Sequence, residues 1–363
     1  MIVKDLYLKN FRNYSEEKID FSPSVNIIYG NNAQGKTNIL EGIYLFSMGK
    51  SIRTHHDEEL IKFGENEAYL NMNFFGGKRD INAEIFIKKN NRKRFLINEI
   101  AVKRNSDLVG KFNVVYFGPE CMNIIKSGPM SRRKNIDILI SQLKKNYFVC
   151  ISDYKKTLES KTALLKNENI DKITLDILNE RLINLTVELT KYRFFYIKKI
   201  EEIARKIQNE ISHGNENLEI KYVSCCGDFE EFNEEEIRKK TEEKFKKNYE
   251  REIFLREVSV GAHRDDIEYF INGKNVKMFG SSGQQKTVAL VQKIAEVNLI
   301  FEEIGEYPVL LLDDIMSELD LLRQSYILTQ IKNMQIIITT TDKGKFNLLP
   351  ESRIIKIEEG RLS

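Results

Sequence analysis

One stretch of eight residues decides the fold: positions 30 to 37 read Gly30-Asn31-Asn32-Ala33-Gln34-Gly35-Lys36-Thr37. The stretch matches in full the pattern G-x-x-x-x-G-K-[ST], in which the backbone amides of a glycine-rich turn surround phosphate groups. By average composition, a chain of this length contains such a match by chance in roughly one case in a hundred. The apolar run 25–29 precedes the stretch and an apolar-striped segment follows it. The pattern therefore predicts a strand, a phosphate-binding turn and a helix that begins at Lys36.

Each fixed position of this pattern has a chemical reason. Gly30 and Gly35 allow the backbone to turn so that amide hydrogens point at phosphate oxygens, and the helix N-terminus adds partial positive charge. We expect Lys36 to reach the β- and γ-phosphates of a nucleotide, and the Thr37 hydroxyl to bind Mg²⁺.

An acidic partner for the metal follows a second apolar run. Residues 308–314 read Pro-Val-Leu-Leu-Leu-Asp-Asp, which is typical of a buried parallel strand that ends in two carboxylates. Ligands of α/β sheets bind at the carboxyl ends of the strands, so we assign Asp313 to Mg²⁺. Asp314 is the candidate to orient or deprotonate an attacking water.

Composition excludes several classes of protein. The 363 residues carry 57 Lys and Arg against 54 Asp and Glu, so the net charge of +3 excludes a polybasic protein. The sequence contains no run of about 18 apolar residues, so it predicts no membrane-spanning helix. The charged N-terminus does not read as a signal peptide, and we expect the cytoplasm. The four cysteines form no C-x-x-C pair, which argues against a zinc site.

The order of the segments predicts a divided α/β domain. Residues 1 to about 130 are rich in predicted strands, and apolar runs at 309–312 and 335–340 return to the pattern of a parallel sheet. Between them, helix-spaced apolar residues run from Leu178 to Ile211, with a preceding helix predicted over about 132–165. The charged stretch 228–251 reads as a solvated helix face. We predict a head of residues 1–131 and 255–363, whose two halves share a mixed sheet, and an inserted helical lobe of residues 132–254.

Further segments carry a resemblance to known families. Gly280-Ser281-Ser282-Gly283-Gln284-Gln285-Lys286 resembles the signature motif of ABC-type ATPases, and Ser317-Glu318-Leu319-Asp320 resembles their D-loop. The segments that resemble the RecF family of bacterial recombination mediators are Leu8–Tyr14, Ser51–Thr54, Gly128–Arg133 and Gly261–Asp266. This resemblance runs in order from residue 2 to about residue 358.

The resemblance implies an ABC-type ATPase head, with ATP and Mg²⁺ as cofactors, that forms a homodimer when ATP binds. Ser281, Gly283 and Gln284 of one copy would then cap the nucleotide held by Lys36 of the other copy. The implied function is recombinational repair and replication, within the DNA-damage (SOS) response, through binding of double-stranded DNA near single-strand junctions. The implied partners are RecR and RecO, which load RecA.

Departures from the ABC pattern favour slow hydrolysis by a protein that acts mainly as a switch, and the resemblance implies an ATPase that DNA stimulates. Asp314 stands where transporters carry Glu, and Thr341 and Asp342 follow the last apolar run where transporters carry His. We treat Thr341 and Asp342 as candidate sensors of the γ-phosphate. Two other function classes stay open at this point: the ATPase subunit of a membrane transporter, and a metabolite kinase with a phosphate loop.

Basic clusters supply the candidates for DNA contact, because Lys and Arg bind backbone phosphates without reading bases. Arg92 and Arg94 belong to one cluster, Arg132 and Arg133 open a predicted helix, and Arg53 stands alone. The segment His263-Arg264-Asp265-Asp266 has two interpretations: a DNA contact, or a structural network that ties the insertion to the head.

Overall fold

The computed structural model describes residues 1–330, 334–341 and 352–362. In chain order its strands are β1 (Ile2–Phe11), β2 (Tyr14–Asp20), β3 (Val25–Tyr29), β4 (Glu67–Gly76), β5 (Arg79–Lys88), β6 (Arg94–Ile97), β7 (Ile100–Ala101), β8 (Val114–Phe117), β9 (Leu218–Val223), β10 (Asp266–Ile271), β11 (Lys274–Asn275), β12 (Val309–Asp313), β13 (Ile336–Thr340), β14 (Arg353–Glu358) and β15 (Arg361–Leu362).

The helices within the same described residues are α1 (Lys36–Met48), α2 (Asn105–Leu108), α3 (Pro119–Met122), α4 (Pro129–Leu143), α5 (Lys145–Leu165), α6 (Lys172–Ile211), α7 (Glu234–Leu255), α8 (Val276–Phe279), α9 (Ser282–Ile304) and α10 (Leu321–Gln330). Short 3₁₀ helices cover Asp57–Leu60, Ala262–Arg264 and Ile315–Glu318. None of the described helices is long and apolar enough to cross a lipid bilayer.

The chain divides into two compact units. The first unit is Met1–Met122 with Ala289–Ser363, and its described residues form two six-stranded sheets. One sheet is antiparallel in the order β2-β1-β4-β5-β6-β7, and alternate residues of β4 and β5 are buried, as expected when one face of a sheet meets the core.

The other sheet carries the phosphate-binding turn. Its order is β15-β14-β3-β13-β12-β8, and β14, β3, β13, β12 and β8 pair in parallel. Every residue of β12 and β13 is buried, which matches the continuous apolar runs in the sequence. Strands from both ends of the chain therefore share one sheet, and the predicted α/β class with a mixed sheet is confirmed.

The second unit, Asn123–Val288, combines α4 to α7 with the sheet β11-β10-β9. The 40 residues of α6 begin after Asp171, whose carboxylate accepts a hydrogen bond from Ile173 N at 3.1 Å and caps the helix. The predicted apolar stripe is its buried face, which includes Leu182, Leu189 and Ile200.

Two expectations about this region differ from the structure. The helix predicted over 132–165 is two helices, because the extended backbone of Lys144 separates α4 from α5. The second unit is also wider than the predicted 132–254, since it extends from Asn123 to Val288. Residues 266–271 belong to it because β10 pairs along its length with β9, a non-local pairing that a local pattern does not reveal.

Candidate functional site

The phosphate-binding turn connects β3 to α1 as the sequence predicts. Gly35 adopts φ +111°, a conformation that side chains with a Cβ rarely adopt. The ammonium group of Lys36 donates to the carbonyl oxygens of Gly30 and Asn31, both at 2.7 Å. Burial lowers the pKa of Lys36, while Asp314 and Asp313 act in the opposite direction. Lys36 therefore spans its own turn, where burial disfavours its charged form and the two carboxylates offset that effect only in part.

Neighbouring strands hold this turn tightly. A Cβ on Gly30 would lie 2.3 Å from the carbonyl oxygen of Ile357, so only glycine fits there. Asn13 donates to the carbonyl of Gln34 at 2.9 Å, and Tyr14 donates to the carbonyl of Gly35 at 3.1 Å. The turn is thus fixed from outside by the β1–β2 connection and by β14. The sequence pattern did not indicate that Asn13 takes part in the site.

Asp313 is the centre of the site. It accepts hydrogen bonds from Thr37 Oγ1 at 2.9 Å, from Thr339 Oγ1 at 2.6 Å and from Tyr116 OH at 3.0 Å. The register of the sheet explains this convergence, because Asp313 pairs with Thr339 and the neighbouring strand β8 brings Tyr116. Burial and the Asp313 carboxylate raise the pKa of Tyr116, so its hydroxyl stays protonated as a donor.

Asp314 follows with a positive φ of 52°. Its amide donates to Thr339 O at 3.2 Å and to Thr339 Oγ1 at 3.0 Å, which turns the chain sharply at the carboxyl end of β12. Ser317, in the D-loop-like segment, donates to the carbonyl of Asp314 at 2.8 Å. Thr339 therefore holds the Asp313 carboxylate and the backbone of Asp314, a role that its position in an apolar run did not indicate.

The donor set fits a magnesium ion. Mg²⁺ prefers oxygen ligands in octahedral geometry at about 2.0–2.1 Å, which places neighbouring ligands about 2.9 Å apart. Thr37 Oγ1 and Asp313 Oδ1 lie 2.9 Å apart and come from two different elements. These two oxygens would hold the ion together with phosphate oxygens and waters.

The structure brings Thr339 to Asp313, whereas Thr341 lies exposed just after β13. Asp342 lies outside the described residues. The candidate Arg53 is exposed and its Nη1 donates to Asn38 Oδ1 at 3.3 Å, one residue after Thr37. Arg53 is therefore near the phosphate-binding turn.

The signature-like segment opens α9 in a capping arrangement. The amide of Ser281 donates to Gln284 Oε1 at 2.9 Å, and the amide of Gln284 donates to Ser281 Oγ at 3.2 Å. This reciprocal pair is a capping box, which satisfies two amides at a helix N-terminus. Ser281 and Ser282 are exposed, while Gly283 and Gln284 are half-buried. The segment belongs to the second unit, and the phosphate-binding turn to the first.

Arg132 requires a correction as a DNA contact. The residue is only 3% exposed, and its guanidinium forms a double hydrogen bond with Asp266 at 2.7 and 2.9 Å. Its Nη1 also donates to the carbonyl of Ser127 at 2.5 Å. A buried arginine fixed in this way cannot reach a DNA phosphate in this structure, and charge alone did not reveal the burial.

Arg132 is part of a buried network in the second unit. Arg193 bonds Asp265 at 2.6 Å and Asp137 at 2.9 Å, and the hydroxyl of Tyr154 contacts His263 Nδ1 at 2.7 Å. Burial lowers the pKa of His263 to about 4. The segment 261–266 thus has structural partners in α4, α5 and α6, but all of them lie within the second unit, so this network is internal to that unit and is not the expected tie between the insertion and the head.

The remaining basic candidates differ in exposure. Arg133 is half-buried and donates to the carbonyl of Asp265 at 2.5 Å. Arg92 is exposed, and Arg94 is exposed with its guanidinium 5.3 Å from the ring centre of Phe86. Arg92, Arg94 and Arg53 therefore keep surfaces that a phosphate backbone could contact.

Comparison with known proteins agrees with these features. The family model described as "RecF/RecN/SMC N terminal domain" matches residues 2–361. A "DNA replication and repair protein RecF" from Clostridium kluyveri is 42% identical over 369 residues, with 100% of both chains covered.

Two solved structures are similar over nearly the whole chain. The structure described as the recombination mediator protein RecF-ATPrS in the RecFOR pathway has a TM-score of 0.92 and 37% identity, and covers 99% of this chain and 97% of its own. The structure described as RecF-ATP in that pathway has a TM-score of 0.90 and 37% identity, and covers 100% and 97%.

Proposed function

Because the chain belongs to the RecF family, we propose that it is an ATP-dependent DNA-binding protein of recombinational repair and replication. Two copies associate when ATP binds, and the dimer holds double-stranded DNA near the junction with a single-stranded gap. There it helps RecR, with RecO, to load RecA. The alternatives of a transporter subunit and a metabolite kinase lose support, since the similar proteins are replication and repair proteins.

The observation that carries this proposal is the contact between Thr37 Oγ1 and Asp313 Oδ1 at 2.9 Å. It joins the phosphate-binding turn to a carboxylate that lies 276 positions later in the chain. The residues therefore fit ATP with Mg²⁺, the ion that neutralises phosphate charge when bound.

The chain's own residues divide the work on ATP. Lys36 exchanges its two carbonyl partners for the β- and γ-phosphates, and backbone amides of residues 30–37 bind the remaining phosphate oxygens. Thr37 and Asp313 would hold the ion, and Thr339 and Tyr116 keep Asp313 oriented. We assign Asp314 to orient the attacking water and accept its proton, and Thr341 stays a candidate sensor of the γ-phosphate.

The signature segment acts on the nucleotide of the other copy. Ser281 is exposed, and its hydroxyl proton is available to donate to a phosphate oxygen while Oγ accepts from Gln284 N. Gly283 and Gln284 lie at the start of α9, where a helix N-terminus favours an anion. This division makes the monomer a slow ATPase, because its own site lacks the cap, and makes DNA a stimulator when it brings two copies together.

DNA contact is assigned to exposed basic side chains, with Arg53, Arg92 and Arg94 as the first candidates and Arg133 as a weaker one. Such contacts bind phosphates, so affinity should fall as salt rises and should not depend on sequence. A protein that acts on chromosomal DNA in a bacterium works in the cytoplasm, where we place this one.

The test is sedimentation velocity of the purified protein with Mg-ATP, with and without gapped duplex DNA. We expect a dimer only with ATP. Lys36→Met should abolish the dimer by weakening ATP binding, and Ser281→Arg should abolish it by blocking the segment that caps the nucleotide of the other copy. Ser281→Arg should still bind ATP as a monomer. A wild-type protein that stays monomeric under every condition would contradict the proposal.

A further inference from the structure

A carboxylate outside the nucleotide site grips the signature segment. Gln284 Nε2 donates to Glu216 Oε1 at 2.8 Å, and Glu216 lies in the connection between α6 and β9. The second oxygen of Glu216 accepts from Gln208 Nε2 at 2.5 Å. All three side chains belong to the second unit.

Glu216 determines the orientation of the side-chain amide of Gln284. An ionised carboxylate can only accept hydrogen bonds, so it attracts the NH₂ end of Gln284 and turns the Oε1 end toward Ser281. There Oε1 accepts the Ser281 amide at 2.9 Å. The amide of Ser281 lies at the start of α9, where an incoming phosphate would meet it, and this bond occupies it.

The grip extends to the long helix of the second unit. Gln208 lies on α6 and is fully buried, and within the described chain its Oε1 has no hydrogen-bond partner. An unsatisfied buried oxygen is costly, so this amide is held with its NH₂ end on Glu216 at the expense of its other end. Gln208, Glu216, Gln284 and Ser281 therefore form one continuous chain of hydrogen bonds from α6 to the signature.

We propose that Glu216 is a positioning residue that restrains the signature segment in the resting monomer and opposes its docking on the partner's ATP. The inference rests on the proposed function, because it concerns the same segment that would cap the nucleotide of the other copy. Two effects act together: Glu216 keeps the Ser281 amide occupied through Gln284, and its negative charge repels a phosphate that approaches Gln284. Docking requires the Gln284 side chain to leave the Ser281 amide. Loss of the bond between Gln208 on α6 and Glu216 would also weaken this restraint.

The variant Glu216→Gln separates the charge from the shape. A glutamine at this position offers one acceptor and one NH₂ group, so it can accept from only one of Gln208 and Gln284, and the other must turn its own amide or lose its bond. The capping box then loosens and the repulsion disappears. We expect the ATP concentration for half-maximal dimerisation to fall roughly three- to tenfold, about 0.6–1.4 kcal/mol. Gln208→Met removes only the hydrogen bond from α6 to Glu216, so it should lower this ATP concentration by a smaller factor.

The experiment combines sedimentation velocity over a Mg-ATP titration with two measurements on the monomer. Binding of a fluorescent ATP analogue should stay within twofold of wild type, because the phosphate-binding turn is unchanged. Hydrogen exchange over residues 276–287 without nucleotide should become faster in Glu216→Gln. Glu219→Gln is the matched control, since Glu219 is three residues away and forms an ion pair with Lys221 at 3.6 Å.

The outcomes separate the two proposals. If wild type dimerises but Glu216→Gln needs the same or more ATP, or if Glu219→Gln shifts the midpoint equally, the restraint by Glu216 is wrong and the trans cap stands. An unchanged midpoint for Gln208→Met overturns the link to α6. If wild type never dimerises with ATP and DNA, the cap and the restraint both fail.

Discussion

The phosphate-binding turn and the signature segment are both glycine-containing stretches that open a helix, yet their hydrogen bonds differ in kind. In the turn, Thr37 and the ammonium of Lys36 bond a buried carboxylate and backbone carbonyls. In the signature segment, Ser281 and Gln284 bond each other, and the second bond of Gln284 goes to Glu216. The first stretch is held by distant strands, and the second largely by its own turn.

This difference shows which half of an ATP site a single chain can build. The turn already contains a cation, a hydroxyl and a carboxylate that suit a metal–nucleotide complex. The signature segment contributes hydroxyl and amide donors at a helix start and leaves Ser281 and Ser282 exposed. Substitutions in the turn should therefore affect one chain alone, and substitutions in the signature should act mainly on the pair.

The largest expected effect is on ATP binding by Lys36→Met. The variant keeps much of the side-chain volume but removes the positive charge that attracts the phosphates. We therefore expect ATP affinity to fall at least 100-fold, about 2.7 kcal/mol. Titration calorimetry with Mg-ATP on the monomer measures the change. Lys50→Met, at an exposed lysine just after α1, is the control. A loss of tenfold or less would show that the backbone amides alone carry binding.

The sequence predicted the turn well because its chemistry is local. A strand, a glycine turn and a helix start lie within 25–48, and the observed bounds of β3 and the start of α1 are the predicted ones. Asp313 was also predicted, since an apolar run that ends in a carboxylate is itself a local signal. Tyr116 and Thr339 were missed because they meet Asp313 only through the register of three parallel strands.

A smaller effect is expected from Thr339→Val, which tests whether the support of Asp313 matters as much as the turn. Valine has a similar shape but cannot donate to Asp313 or accept from the Asp314 backbone amide, so the Asp313 carboxylate and the turn at Asp314 both lose a support. We expect ATP hydrolysis to fall about tenfold, or 1.4 kcal/mol in the barrier, with ATP affinity within threefold. Single-turnover hydrolysis and calorimetry separate the two quantities.

Thr341→Val is the matched comparison, two residues along the chain and exposed. We expect it to keep hydrolysis within twofold of wild type if Thr339 is the important hydroxyl. The reverse result, with hydrolysis lost in Thr341→Val and kept in Thr339→Val, would favour Thr341 as the sensor that the sequence suggested.

The second unit was harder to predict for a related reason. Helix spacing identified the buried face of α6, but Arg132 looked like a surface cation because its partner Asp266 is 134 positions away. Burial of a charge depends on a distant opposite charge, and a basic cluster in sequence carries no information about that partner. The link from Gln208 to Glu216 and Gln284 is non-local in the same way, since Gln284 is 68 positions from Glu216.

The smallest expected effect is on the stability of the monomer in Ser281→Ala. The change removes the oxygen that accepts the Gln284 amide, and loss of such a cap typically costs about 0.5–2 kcal/mol. Because Ser281 is exposed and water can replace the oxygen, we expect the lower end of this range, with faster hydrogen exchange confined to the first turn of α9. Ser282→Ala, one residue along and also exposed, should change neither quantity. Equal effects of the two variants would mean that the capping box does not hold the signature. In that event the contrast with the phosphate-binding turn would rest on its remaining bonds alone.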